Sequence, residues 1–206
     1  EGEVHDRTGC HFHSSYLPAR LRWLEQSQLD LVRQTARWIS IGEFLDLTLF
    51  GHTSVSYSVA SWSGLLDRHQ LVWDEHLLQK LPINISQLSH LVDIDSSKRG
   101  LRREFASRWP LLVKLPWFPT IGDGAAANIG SGCISPCHVA LTMGTTTAMR
   151  AVVNQTIEQV PPGLWCYRVD GHRSLPGGAL SEGGGLYSWM KSTFQLFDDS
   201  GNLWDR

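Results

Sequence analysis

Asp123 is the side chain best placed to do chemistry. It stands between Gly122 and Gly124 and is followed by the small-residue run Ala125-Ala126-Ala127-Asn128. The apolar approach Leu111 to Phe118 leads into it, so the stretch predicts a strand, a tight turn and then a helix with Asp123 at its N-terminus. Glycine on both sides lets backbone and ligand come close, and the positive end of the helix dipole favours an ionised carboxylate. Such a group accepts protons.

Further along, Val139 to Val153 consists of two apolar, partly β-branched runs joined by Gly144-Thr145-Thr146-Thr147. This predicts a hairpin whose turn offers N–H groups and hydroxyls to an anion. A carboxylate and a phosphate-sized nest near one another suit phosphoryl transfer, in which a base takes the proton of the attacking hydroxyl and donors neutralise phosphate oxygens. Each stretch alone also reads as an ordinary turn. On these residues the two readings stand side by side.

Several elements must hold these residues in place. Leu17 to Arg33, with Pro18 at its start and Leu21, Trp23, Leu24, Leu29 and Val32 as its apolar positions, predicts one amphipathic helix. Ser40-Ile41-Gly42-Glu43 is a capping box opening a helix from Ile41 to Phe50 that Gly51 closes. Ser54 to Ser63 is small and hydroxyl-rich, and reads as a buried segment without chemistry of its own. Gly64 to Asp67 and Gln70 to Trp73 read as a short hairpin, after which Asp74 caps a helix that Pro82 ends. The basic cluster Ser96 to Arg103 reads as a solvated loop, and Glu104 to Trp109 as a helical turn. The glycine, serine and proline break from Gly130 to Cys137 has the composition of a hinge between two units. Beyond it are expected a turn at Pro161-Pro162-Gly163, a strand from Leu164 to Val169, and a helix over 184–196 capped by Ser181.

A chain of 206 residues can bury a core, and its 18 basic against 20 acidic residues leave no electrostatic footprint for nucleic acid or an acidic membrane. No run of about eighteen apolar residues exists, so no membrane span is expected. The first residues, Glu1 to His5, do not have the composition of a signal or transit peptide. Cys10, Cys133, Cys137 and Cys166 form no zinc-type pair of pairs, and the expected location is the reducing cytoplasm. His5, Cys10, His11 and His13 lack an established ligand spacing, so no metal site is expected there. Most of the nine tryptophans should be packing residues, with one or two lining a ligand site.

The order of these stretches resembles the middle of a sugar kinase of the FGGY family. The resemblance is carried by Gly122-Asp123-Gly124-Ala125-Ala126, by Ala140 to Thr147, by Gly163 to Arg168 and Gly177 to Ser181, and upstream by Asp6 to Cys10 and Ser15 to Leu24. It implies an α/β fold of the actin-like, ribonuclease-H-like ATPase class with parts of two lobes: 1–132 as the later part of an N-terminal sugar-binding lobe, and 133–206 as the early part of a C-terminal nucleotide-binding lobe. It implies ATP and Mg²⁺ as cofactors and a sugar or sugar acid, possible examples being gluconate or a ketose, as substrate. By the same resemblance Asp123 is the general base and a substrate contact, Ser15 and Tyr16 are further substrate contacts, and Gly144, Thr145 and Thr146 hold nucleotide phosphates. Leu17 stands where the family pattern has a small residue or proline, and Arg20 where it has lysine. The family's phosphate-binding loop, Gly-x-Asp-x-Gly-Thr, is not found before residue 6, nor its second signature after the 184–196 helix, so a central fragment is expected. The alternative is a non-catalytic sugar- or partner-binding protein derived from the same fold. None of these residues sets an oligomeric state.

Overall fold

The computed structural model describes residues 2–194. A short helix that no periodicity announced, α1 (Gly2–Thr8), opens it. The amphipathic stretch that follows forms two helices, α2 (Leu17–Ser27) and α3 (Leu29–Gln34), instead of the single helix expected over 17–33. The break is at Gln28, whose backbone (φ −147°, ψ 54°) is not helical. Just before it the Ser27 hydroxyl donates back to the Trp23 carbonyl at 2.7 Å, a local bond that competes with helix continuation. Leu21 and Val32 are buried, while Trp23 is 60% exposed.

Local signals elsewhere are obeyed. α4 (Ile41–Phe50) carries both halves of its capping box: the Glu43 N–H donates to the Ser40 hydroxyl at 3.3 Å, and the Ser40 N–H donates to the Glu43 carboxylate at 2.7 Å. Gly51, at φ 82°, closes the helix. The hydroxyl-rich segment is a strand running straight into a helix, β1 (Ser54–Ser56) and α5 (Tyr57–Ser63), with Ser56 as the cap. β2 (Leu66–Asp67) and β3 (Val72–Trp73) form the expected hairpin, and Asp74 caps α6 (Glu75–Leu78) by accepting from the Leu77 N–H at 3.0 Å. β4 (His90–Val92) lies parallel to β1, with Val55 opposite Leu91. The basic cluster is only partly solvated, because Lys98 pairs with Asp46 of α4, lies 5.6 Å from the Phe50 ring centroid and bridges to Trp117 through its backbone. α7 (Arg103–Arg108) follows.

Residues 111–118 do not make the expected strand. They begin in a 3₁₀ turn, Pro110–Leu112, and run irregularly to Gly122, paired only at the Trp117–Lys98 bridge. Pro116 and Pro119 have no N–H to give a ladder. α8 (Asp123–Gly130) then starts where the sequence places it. β5 (Val139–Met143), β6 (Thr147–Ala151), β7 (Trp165–Arg168) and β8 (Ser174–Leu180) form one antiparallel sheet in the order β5-β6-β8-β7. α9 (Gly184–Phe194) begins three residues after Ser181, which is therefore not its cap; positions 195 and 196 of the expected helix lie outside the described residues.

Two core clusters, around Leu21, Leu65 and Leu77 and around Val55, Ala60 and Leu66, lie within the first 130 residues. A third unites Cys10 and Ala125 with Val152, Tyr167, Val169 and Leu175, from both sides of the irregular segment 131–138. Each large apolar side chain so buried contributes about 1.5–3 kcal/mol, enough to make packing continuous across that segment. Arg68, 0% exposed, spans the same junction: its guanidinium donates to the carbonyls of Asp6 at 2.9 Å, Glu158 at 3.1 Å and Ile157. The Cys166 N–H donates to the Gly9 carbonyl at 2.9 Å beside it.

Candidate functional site

Asp123 takes the first helical position of α8 with Gly122 as cap, and its side chain is exposed. The irregular approach to it cannot satisfy its own backbone, and buried serines do so instead. Ser56 donates to the Thr120 carbonyl at 2.6 Å, and the Gly122 N–H donates to the Ser58 hydroxyl at 3.0 Å. Three residues on, the Ser61 hydroxyl accepts from the Arg168 N–H at 2.9 Å, which fixes β7 against the same helix. Sequence reasoning gave this segment no role. The signal was there, because hydroxyls in a stretch that is otherwise apolar and buried must find partners.

A cavity of about 650 Å³ opens beside α8. Ser15, Tyr16 and Thr146 all line it, so the loop before α2 and the threonine turn face the same space. Aromatic rings dominate the rest of its wall, and Trp62 and Trp165 are the tryptophans among them. The Tyr16 and Tyr167 hydroxyls are 2.6 Å apart, and Trp165 stacks on Tyr167 with centroids 5.7 Å apart. Burial, with the Cys10 thiol adding to it, pushes the Tyr16 phenol up to about 12, and burial raises Tyr167 as well. Both phenols therefore stay neutral near pH 7 and can donate as well as accept.

Asp123, Gly144 and Thr145 are not among the residues lining this cavity. The two glycine neighbours of Asp123 come closer: Gly122 and Gly124 line a small recess that shares Trp62 and Tyr167 with the cavity, and the Arg150 side chain of the cavity wall runs across Gly124. In the turn between β5 and β6, the Gly144 N–H is spent on the Thr146 carbonyl at 2.9 Å. The Gly144 carbonyl accepts from the Gly184 N–H at 2.7 Å, and a methyl group on Gly183 would lie 2.5 Å from that carbonyl. The glycine run before α9 is thus the backing of the threonine turn, and the exposed groups left to a ligand are on Thr145 and Thr146. Among the described residues no group of three or more His, Cys, Asp or Glu side chains is set to hold a metal; His5 instead stacks on His11 at 4.1 Å.

α8 packs against β5 and β6 of the four-stranded sheet, and the chain has the actin-like ATPase fold of carbohydrate kinases, as two solved structures show. The gluconate kinase of Lactobacillus acidophilus superposes with a TM-score of 0.84 at 27% identity over 97% of this chain and 40% of its own. The ligand-bound xylulose kinase of the same organism gives a TM-score of 0.84 at 26% identity over 93% and 39%. In sequence, the gluconokinase of Bacillus subtilis (strain 168) is 26% identical over 192 residues, which is 93% of this chain and 37% of that protein. Residues 1–130 match the family model for the N-terminal domain of the FGGY family of carbohydrate kinases. The chain belongs to that family, and it spans somewhat more than a third of the length of the curated relatives it matches.

Proposed function

We propose that the whole protein transfers the terminal phosphoryl group of ATP to a hydroxyl of a sugar or sugar acid, with residues 1–132 in its sugar-binding lobe and 133–206 in its nucleotide-binding lobe. The observation that supports this reading is the shared cavity, which Ser15, Tyr16 and Thr146 all line, with a recess lined by Gly122 and Gly124, the neighbours of Asp123, sharing Trp62 and Tyr167 with it. The names of the relatives, gluconokinase and xylulose kinase, point to the same class of acceptor.

In this reading Asp123 is the general base. As the acceptor oxygen bonds to the terminal phosphorus and the bond to the ADP oxygen breaks, the hydroxyl proton passes to the Asp123 carboxylate. Ser15 and Tyr16 orient the acceptor through their hydroxyls. Thr145 and Thr146, with the Gly144 backbone between them and α9, hold the β- and γ-phosphates. ATP would supply the phosphoryl group, and Mg²⁺ bound with it would neutralise charge on the phosphate oxygens beside Thr145 and Thr146. Closure about the 130–137 segment would exclude water as a competing acceptor. The four free cysteines fit a reducing compartment, the cytoplasm. No helix among the described residues is long and apolar enough to cross a membrane.

Asp123→Asn in the full-length protein keeps the size of the side chain and removes the base. ADP release on a panel of sugars and sugar acids is expected to fall by about 10²- to 10⁴-fold in kcat. Turnover within tenfold of wild type sinks the assignment of Asp123. Tight sugar binding by wild type without any ADP release would favour the non-catalytic alternative.

A further inference from the structure

Arg150 is the cation of the cavity that the proposed transfer leaves unused. It lies in β6 on the strand face it shares with the buried Ala148, opposite Ala140 and Gly177. Its side chain crosses the first turn of α8, where a methyl group on Gly124 would sit 3.0 Å from Nε, so a larger residue at 124 would make Arg150 shift. One guanidinium nitrogen donates to the Thr142 hydroxyl at 3.3 Å. Among the described residues no carboxylate pairs with it.

Other arginines in the molecule show what a satisfied guanidinium looks like. Arg7 pairs with Asp74, Arg173 with Asp170, and Arg68 is surrounded by carbonyls. Arg150, half-buried, makes one long bond to a neutral hydroxyl and keeps most of its five N–H donors unspent. Its unspent donors are open to solvent in the cavity, and an anion entering there can take them as charge-assisted hydrogen bonds. The cavity tells what kind of anion: it has the volume of a small-molecule site, flat faces on Tyr16, Trp62, Trp165 and Tyr167, and the Ser15 hydroxyl at its rim. That lining suits a polyhydroxylated chain ending in a carboxylate.

We infer that Arg150 receives the carboxylate of a sugar acid, so that it is the residue selecting an aldonate over a neutral sugar. As a statement about the phosphoryl acceptor this rests on the kinase reading above; as a statement about binding it does not.

The test compares gluconate with glucitol, its neutral counterpart, titrated into the full-length protein without nucleotide. Wild type is expected to bind gluconate the more tightly, and Arg150→Gln to weaken gluconate by roughly 10²-fold while changing glucitol by less than about threefold. Arg150→Lys keeps the charge but loses the planar fork, and about a tenfold loss confined to gluconate is expected; this variant decides the matter if the glutamine variant does not fold. Equal wild-type affinity for the two compounds, an unchanged gluconate affinity in the folded variants, or an equal loss for both compounds overturns the inference. ADP release measured in parallel separates the two claims. Gluconate bound through Arg150 without turnover removes the kinase reading alone, whereas turnover on neutral sugars by a protein that does not prefer gluconate removes the role of Arg150 alone.

Discussion

The two sides of the cavity are built by opposite means. On the Asp123 side, buried serines of β1 and α5 take up the backbone of the approach loop, and α8 rests on the core through Ala125. On the threonine side, Gly144 to Thr146 is exposed and leans on the backbone of Gly183 and Gly184 through one carbonyl. The difference teaches where order is built in before a ligand arrives. On the roles proposed above, a base is held in advance at hydrogen-bonding precision, whereas a phosphate-binding turn completes its contacts as the ligand enters.

That contrast can be broken at the joint between the two sides. Arg68→Ala removes a fully buried guanidinium and the donor to three carbonyls, and is expected to cost on the order of 4 kcal/mol in a single cooperative unfolding transition. Two separate transitions in wild type during guanidinium denaturation would show instead that the sides fold independently. Ser58→Ala sharpens the comparison on the ordered side. It orphans the Gly122 N–H, with an expected loss of about 1–3 kcal/mol, and should lower kcat more than it changes KM for the sugar. On the open side, Gly183→Ala pushes a methyl into the Gly144 carbonyl. It should raise KM for ATP severalfold at a stability cost of about 1 kcal/mol or less, leaving KM for the sugar unmoved; a rise in the sugar KM instead would mean that the turn also shapes the sugar end.

The smallest effect expected lies at the β7–β8 turn. Burial alone would push the Asp170 carboxyl up, but the His172 N–H at 2.9 Å, the Arg173 guanidinium at 2.7 Å and the Arg173 N–H at 2.6 Å outweigh it and hold the group below its ordinary value. Its contribution is therefore complete above about pH 4, the unfolded value, and lost as pH falls through the depressed folded one. Melting temperatures of wild type and Asp170→Asn should differ most near neutrality and converge in acid; a constant difference from pH 7 down to about pH 2.5 contradicts this linkage.

Elements whose cause is local could be read without coordinates. The capping box at Ser40 and Glu43, the cap at Asp74, the hairpin around Gly144 and the start of α8 at Asp123 each depend on residues a few positions apart. Two readings failed on local causes that were overlooked, and one on a remote partner. Helix periodicity over 17–33 outlasted the helix, the apolar run before Asp123 met prolines that no ladder could use, and Lys98 found Asp46 from far along the chain. Of the candidate site, Ser15, Tyr16 and Thr146 proved to line one cavity, while the serines beneath Asp123 and the cation at Arg150 gave no sign of their roles.

By itself the sequence determined where caps, turns and glycines fall, and the order of its motifs resembled that of the FGGY family, because glycine placement, capping and turn residues act over a few bonds. Only the tertiary structure decided which groups meet. The serines that hold Gly122 and Thr120 and the carbonyls that surround Arg68 satisfy polar groups across wide stretches of chain, and Arg150 reaches across Gly124 from the far side of the 131–138 segment. A buried donor takes its acceptor from whatever the fold brings near, and sequence distance has no bearing on that choice.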